Sequence, residues 1–330
     1  MIVCVYPKSP ENDNPFLDLL KKSLSKKIPI IDGTWINLFK YRYDILLVNW
    51  PETFFRGLNP VKSIMKSFAF FLLSIKIRIQ RIKVVTIIHN ESPHEPGSYL
   101  ENLFLKFWKK LNLGEVYLHE TSVILKKNQV TIPHGSYSDL LITQNSFEVI
   151  KSERAISFGA FRKYKNLDRL IICFNESKKL QLLIVGKSFS NEYFDELQKS
   201  ILNEDIISLR NERISFDELV LEIKKSKVAI FVYEKIYNSG AVLFALSCNI
   251  PVIATNSNSM RLLQEEVGRE WIYLVHGDIT MAKIQTGIDS LLVSSSARGK
   301  EVKFSLDRNW TTIATKYVEF FAQILILEEF

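Results

Sequence analysis

The chain has 330 residues, 47% of them hydrophobic, with 12 glycines and 10 prolines. This is enough for two packed domains of roughly 100–200 residues, and it excludes a disordered chain. The net charge of +7 falls almost wholly in residues 1–150, where 19 Lys+Arg face 13 Asp+Glu, so the first half is expected to meet an anionic partner.

In chain order, the first half alternates strands and helices. Met1 leads straight into a strand at Ile2–Tyr6, with no basic or long apolar leader, so no secretory signal is expected. Further strands are expected at Asp44–Trp50, Lys83–Asn90, Val116–Glu120 and Gln129–His134, and helices at Phe16–Leu24 and Glu101–Leu111. Several of these strands lack polar alternation, as strands buried on both faces of a parallel sheet do. Lys62–Lys83 differs: six cations and no acid flank the apolar block Phe68–Ser74. It suits either a membrane-surface helix or a core helix with solvated cations. No apolar stretch approaches the ~20 residues needed to span a bilayer.

Thr143–Glu153 is polar and aperiodic, as a linker would be. A second series follows, with strands at Ala155–Phe161, Leu180–Gly186, Ile206–Leu209, Val228–Val232, Pro251–Thr255 and Trp271–Val275. Helices are expected at Asn166–Glu176, Phe194–Leu202, Phe216–Lys225, Ala241–Ser247 and Met260–Glu266. Trp310–Leu327 carries helical spacing and a greasy face that needs a partner. The expected α/β fold is therefore two Rossmann-like domains facing a cleft, at residues 1–148 and 149–308. A C-terminal helix at 309–330 returns toward the first. Cys4, Cys173 and Cys248 sit far apart in apolar stretches and read as reduced core thiols of a cytoplasmic protein.

Ligands of open parallel sheets bind at the carboxyl ends of strands. Three stretches there could hold an anion. Ser239, Gly240 and Ala241 open a helix after Val228–Val232, and free N–H groups at a helix start attract phosphate. Gly159 lies between a strand and a helix, with Arg162 and Lys165 able to reach back over the strand end. Lys187 follows another strand. Two cations and a helix start would neutralise a diphosphate without metal. Each cation has the plainer reading of a solvated loop residue.

These stretches, FGAFRKYKNLDRLI, LLIVGK and SGAVLFALSCNIPVIAT, together with DILLVNWPE, VVTIIHNESPHE and VTIPHGSY, resemble those of GT-B glycosyltransferases. The likeness is to bacterial exopolysaccharide and capsule enzymes, mannosyltransferases included. The resemblance implies transfer of a sugar from a UDP- or GDP-sugar to a glycan on a polyprenyl diphosphate, at the inner face of the membrane. It assigns Arg162 and Lys165 to the diphosphate and Ser239-Gly240-Ala241 to the phosphate-facing helix start. Many retaining members carry two glutamates eight positions apart; here those positions are Ile236 and Phe244. An inverting reaction is therefore favoured. That leaves the ribose ligand open, and Glu234 could substitute.

Inverting transfer needs one base. His89, Glu91, His94 and Glu95 cluster after a strand, with Glu95 and His94 the first candidates and His89 next, as base or donor contact. The plainer reading is that these side chains bond loop backbone. His134 could touch the donor, and Asn14, Asp13 and Glu91 could hold the acceptor. No cofactor or metal is expected, since D-x-D and H-E-x-x-H are absent. A zinc site at His89, His94, Glu95, His119 and His134 is a further alternative. Other readings are a sugar-nucleotide epimerase or hydrolase, or a non-catalytic binding module. No nucleic-acid motif accompanies the pI of 9.1.

Overall fold

A computed structural model of the chain describes residues 1–8, 15–55, 60–89, 99–118, 125–141, 152–234, 240–294 and 301–327. The chain divides into two compact units, one made of Met1–Gly135 with Leu306–Phe330, the other of Ser136–Ser305.

In the first unit the strands are β1 (Val3–Tyr6), β2 (Ile30–Asp32), β3 (Ile45–Asn49), β4 (Lys83–Ile88), β5 (Asn112–Tyr117) and β6 (Gln129–Thr131). Its helices are α1 (Phe16–Leu24), α2 (Trp35–Lys40), α3 (Pro60–Ile79) and α4 (Tyr99–Leu111). All the strand pairs are parallel, in the order β2-β1-β3-β4-β5-β6. β1 and β3 are wholly buried, which is why their sequences show no alternation. An aromatic cluster packs on one face: Phe54 stacks on Tyr6 with centroids 3.9 Å apart, and Phe70 and Trp108 close around it. Centroid spacings of this kind add modestly to the burial of each ring.

The second unit opens with the short helix α5 (Ser138–Leu141). Its strands are β7 (Arg154–Phe158), β8 (Gln181–Gly186), β9 (Ile207–Asn211), β10 (Val228–Phe231), β11 (Val252–Thr255) and β12 (Ile272–Val275). Between and after them come α6 (Leu167–Asn175), α7 (Asn191–Lys199), α8 (Phe216–Lys225), α9 (Gly240–Ser247), α10 (Asn258–Val267) and α11 (Met281–Val293). This sheet is also parallel, in the order β12-β11-β10-β7-β8-β9. Ser190, Ser215, Ser257 and Thr280 each cap a helix, the side-chain oxygen accepting a backbone N–H one turn on.

The last helix, α12 (Trp310–Ile326), belongs to the first unit and packs on α1. Its greasy face is buried through Trp310, Ile313, Tyr317, Phe321 and Ile324. The fit is close. A Cβ on Gly114 would meet Ile324 at 2.8 Å, and one on Gly135 would meet the Trp310 ring at 2.5 Å. The division between units comes ahead of the linker read from the sequence. In the second unit the Tyr137 N–H donates to Ser247 Oγ at 3.0 Å, and its ring packs edge-on against Phe244.

Candidate active site

The strongest candidate lies at the topological switch point of the second sheet. There β7 and β10 are neighbours, and the chain leaves them for opposite edges, opening a crevice at their carboxyl ends. The two departing loops are stitched together: the Glu234 N–H donates to the Tyr164 carbonyl at 2.8 Å, and Asn166 Nδ2 donates to the Val232 carbonyl at 3.1 Å. Asn166 stands at φ 50°, in the left-handed region, between a single 3-10 turn at Lys163–Lys165 and α6.

That turn folds Lys165 inward. Its side chain is only 7% exposed, and its Nζ lies 5.2 Å from the centre of the Tyr233 ring. Gly159, at φ 99°, makes the room, since a Cβ there would sit 3.0 Å from Lys165 Nζ. Gly186 lets β8 close in behind, because a Cβ would strike the Gly159 carbonyl. Burial, aided by the Arg162 charge, pulls the Lys165 ammonium down to about 7. Among the described residues no carboxylate pairs with Lys165. A buried cation kept without a counter-charge is costly, and a bound anion would relieve it.

Arg162 stands nearer the mouth, its guanidinium 4.4 Å from the centre of the exposed Phe189 ring. Phe161 anchors the loop beneath it, buried and hydrogen-bonded to the Lys187 carbonyl at 3.0 Å. The Lys187 side chain is exposed, so only its backbone joins this framework. Gly240 and Ala241 open α9, which is apolar all round and buried from Val242 to Ser247. Ser239 and Ile236 lie outside the described residues. Phe244 is buried, stacked on Phe216 at 5.3 Å and edge-on to Phe158, within an aromatic cluster. Glu234 is exposed, one residue beyond Tyr233.

In the first unit, β3 and β4 end side by side and bring Asn49, Trp50 and His89 together. His89 Nε2 and Asn49 Oδ1 are hydrogen-bonded, and Trp50 stacks on the imidazole at 4.4 Å, 12° from parallel. With the ring proton on Nε2 donated to Asn49, Nδ1 is the basic nitrogen. Trp50 adopts φ 63°, a strained conformation for a bulky residue and one that recurs at functional sites. Nothing in the sequence singles out Trp50 and Asn49 as partners of His89 beyond the polar strand end Asn49–Glu52. His94, Glu95, Glu91, Asn14, Asp13 and His119 lie outside the described residues.

His134 is 2% exposed, its ring 4.6 Å from Phe16. Its Nδ1–H donates to the Gly135 carbonyl at 2.8 Å, and its own carbonyl accepts from Arg308 at 2.9 Å. Burial presses the imidazole down to about 4, so at neutral pH it is uncharged.

Two parallel six-stranded α/β units of this kind make the GT-B fold of glycosyltransferases. Among solved structures, a sucrose-phosphate synthase from Thermosynechococcus elongatus matches with a TM-score of 0.62 at 14% identity, over 98% of each chain. An Anabaena protein crystallised with UDP and glucose matches with a TM-score of 0.60 at 14% identity, also over 98% of each chain. In sequence the chain is mannosyltransferase-like. It is 26% identical, over 95% of its length and 89% of the relative's, to a GDP-mannose:glycolipid 4-beta-D-mannosyltransferase of Xanthomonas campestris pv. campestris. No family model matches the chain.

Proposed function

We propose that this glycosyltransferase moves a hexosyl group, mannose from GDP-mannose in the first instance, onto a glycolipid acceptor with inversion at the anomeric carbon. The observation that carries the donor side is Lys165, buried beside Arg162 with no carboxylate partner among the described residues. A nucleoside diphosphate is the anion that suits it. Its phosphates would draw a proton onto Lys165 and hold Arg162 against Phe189, through charge-assisted bonds. Gly240 and Ala241 add backbone donors at the start of α9.

In the reaction, a base takes the proton of an acceptor hydroxyl as its oxygen attacks the anomeric carbon. The carbon–oxygen bond to the diphosphate breaks, and the electron pair leaves with the nucleotide. Arg162 and protonated Lys165 stabilise that departing charge. Glu95 and His94 are the first candidates for the base, with His89, oriented by Asn49 and Trp50, behind them. A β-mannoside made from an α-linked donor requires inversion, which agrees with Ile236 and Phe244 standing where many retaining enzymes have glutamates. The acceptor side falls to the first unit, with a glycan on a polyprenyl diphosphate at the inner membrane face as its substrate.

The test is calorimetric titration of GDP and UDP into the parent protein and into Arg162→Ala. Loss of one charge-assisted contact should cost about 1.5–3 kcal/mol, roughly 10- to 150-fold in affinity. Equal affinity in parent and variant would overturn the donor assignment.

A further inference from the structure

Helix α3 carries two faces. Phe70, Leu73 and Ile77 point into the first unit and are buried. Val61, Ile64, Met65, Phe68, Phe71, Leu72, Ile75 and Ile79 lie between 40% and 76% exposed. At 100° per residue these eight fall within about 120° of one another, a single stripe along five turns of helix. Isolated exposed apolar residues are ordinary, but a continuous stripe of this length marks an interaction surface. The stripe extends sideways. Lys76 of α3 donates to the carbonyls of Leu38 at 2.6 Å and Tyr41 at 2.5 Å, which sets the exposed Phe39 and Tyr41 beside its last turns.

Charge selects the occupant. No acid occurs between Lys62 and Lys83, and Arg78 and Arg81 stand exposed at the carboxyl end of the helix. A second copy would set these cations against their own kind, whereas an anionic lipid surface would attract them. We infer that the exposed stripe of α3 docks the protein on an anionic bilayer, and that the apolar side chains, rather than the lysines, do most of the holding.

The distinction between side chains and cations comes from the structure. Lys66 is tied to the Thr53 carbonyl at 3.1 Å, and Lys83 to the Leu327 carbonyl at 3.3 Å. Lys76 caps the end of α2, with its Nζ also 4.8 Å from the centre of the Tyr43 ring. These three therefore brace the fold. The apolar residues lie on the opposite side of the helix from the core, where insertion among acyl chains would remove them from water. The inference agrees with a lipid-borne acceptor but does not depend on it.

The experiment is cosedimentation with vesicles of phosphatidylcholine alone and with 30% phosphatidylglycerol. The parent should bind the anionic vesicles. In Phe68→Ser/Phe71→Ser, partition should fall by about 10-fold or more, given the transfer energy of two aromatic side chains. In Arg78→Gln/Arg81→Gln the loss should be smaller and should vanish at high salt, where cations are screened in parent and variant alike. GDP affinity should be unchanged in both variants, so failure of the donor reading and failure of this one are told apart. As a check that needs no disruptive change, Phe68→Trp should gain fluorescence that brominated lipid quenches. Absence of vesicle binding by the parent would overturn the inference, as would undiminished binding by Phe68→Ser/Phe71→Ser. So would a parent dimer that those two changes split while lipid binding stays the same.

Discussion

Replacing Lys165 by methionine removes a buried charge while keeping an unbranched side chain. The Lys165 ammonium falls from 10.5 to about 7 in the folded chain, chiefly through burial. At about 1.36 kcal/mol per pKa unit, holding the charged form in place costs on the order of 4–5 kcal/mol. The unfolded chain binds more protons than the folded one between about pH 7 and 10.5, so stability rises with pH through that window. Below pH 7 the cost is present in full. Lys165→Met should therefore be more stable than the parent at pH 7, by up to about 4 kcal/mol less roughly 1 kcal/mol of imperfect packing. The gap should narrow to about 1 kcal/mol near pH 9 and close before about pH 10.5. Urea unfolding at these pH values measures it. The same variant should lose affinity for nucleoside diphosphates, and binding to the parent near pH 7.5 should take up protons, detectable by calorimetry in buffers of different ionisation enthalpy. A Lys165→Met protein less stable than the parent at pH 7, or a stability gap indifferent to pH, would refute the reasoning.

Three further outcomes are expected. Glu95→Gln or His94→Ala should lower kcat by ~100-fold or more with little change in GDP affinity, read by steady-state kinetics beside calorimetry; normal turnover in both would move the base elsewhere, Asp13 being the next candidate. Acid should weaken the first unit as pH falls from 6.5 toward 4, because unfolded chains protonate His134 before folded ones do. The loss is roughly 3 kcal/mol, and His134→Gln should flatten the profile seen in acid unfolding. EDTA should leave transfer intact, since the sequence has no D-x-D and Arg162 with Lys165 supply positive charge; activity abolished by EDTA and restored by manganese would contradict this.

Much of this was legible in the residues. Fully buried parallel strands such as Leu46–Val48 and Ala229–Phe231 declare themselves by unbroken apolar runs. Arg162 and Lys165 announced cations over a strand end, but their difference did not show. Only the 3-10 turn and the positive φ of Gly159 decide that one is sequestered and the other lies on Phe189. The edge strand Ile30–Asp32 and helix α2 were missed because both are short and polar-flanked. α11 was missed because Thr286 and Gly287 weaken its pattern. That glycine is required, as a Cβ would press on the Tyr273 ring at 2.7 Å. The lysines of α3 looked alike in sequence. Which of them hold backbone carbonyls is a matter of tertiary position, beyond any local pattern.

The placement of α12 bears on the order in which the protein is made. Domains usually fold as they leave the ribosome, the amino-terminal one first. Here the first unit lacks a wall until Trp310–Ile326 has been synthesised, after the whole of the second unit. Until then Phe16 lacks its Trp310 neighbour, 5.8 Å away, and Gly114 lies open where Ile324 will press. The half begun first is finished last. During that interval the nascent chain carries two bare apolar surfaces, the seat of α12 and the outer stripe of α3, and both invite chaperones or premature association. A separately expressed fragment of residues 1–135 should accordingly be poorly soluble, and supplying residues 306–330 in trans should rescue it.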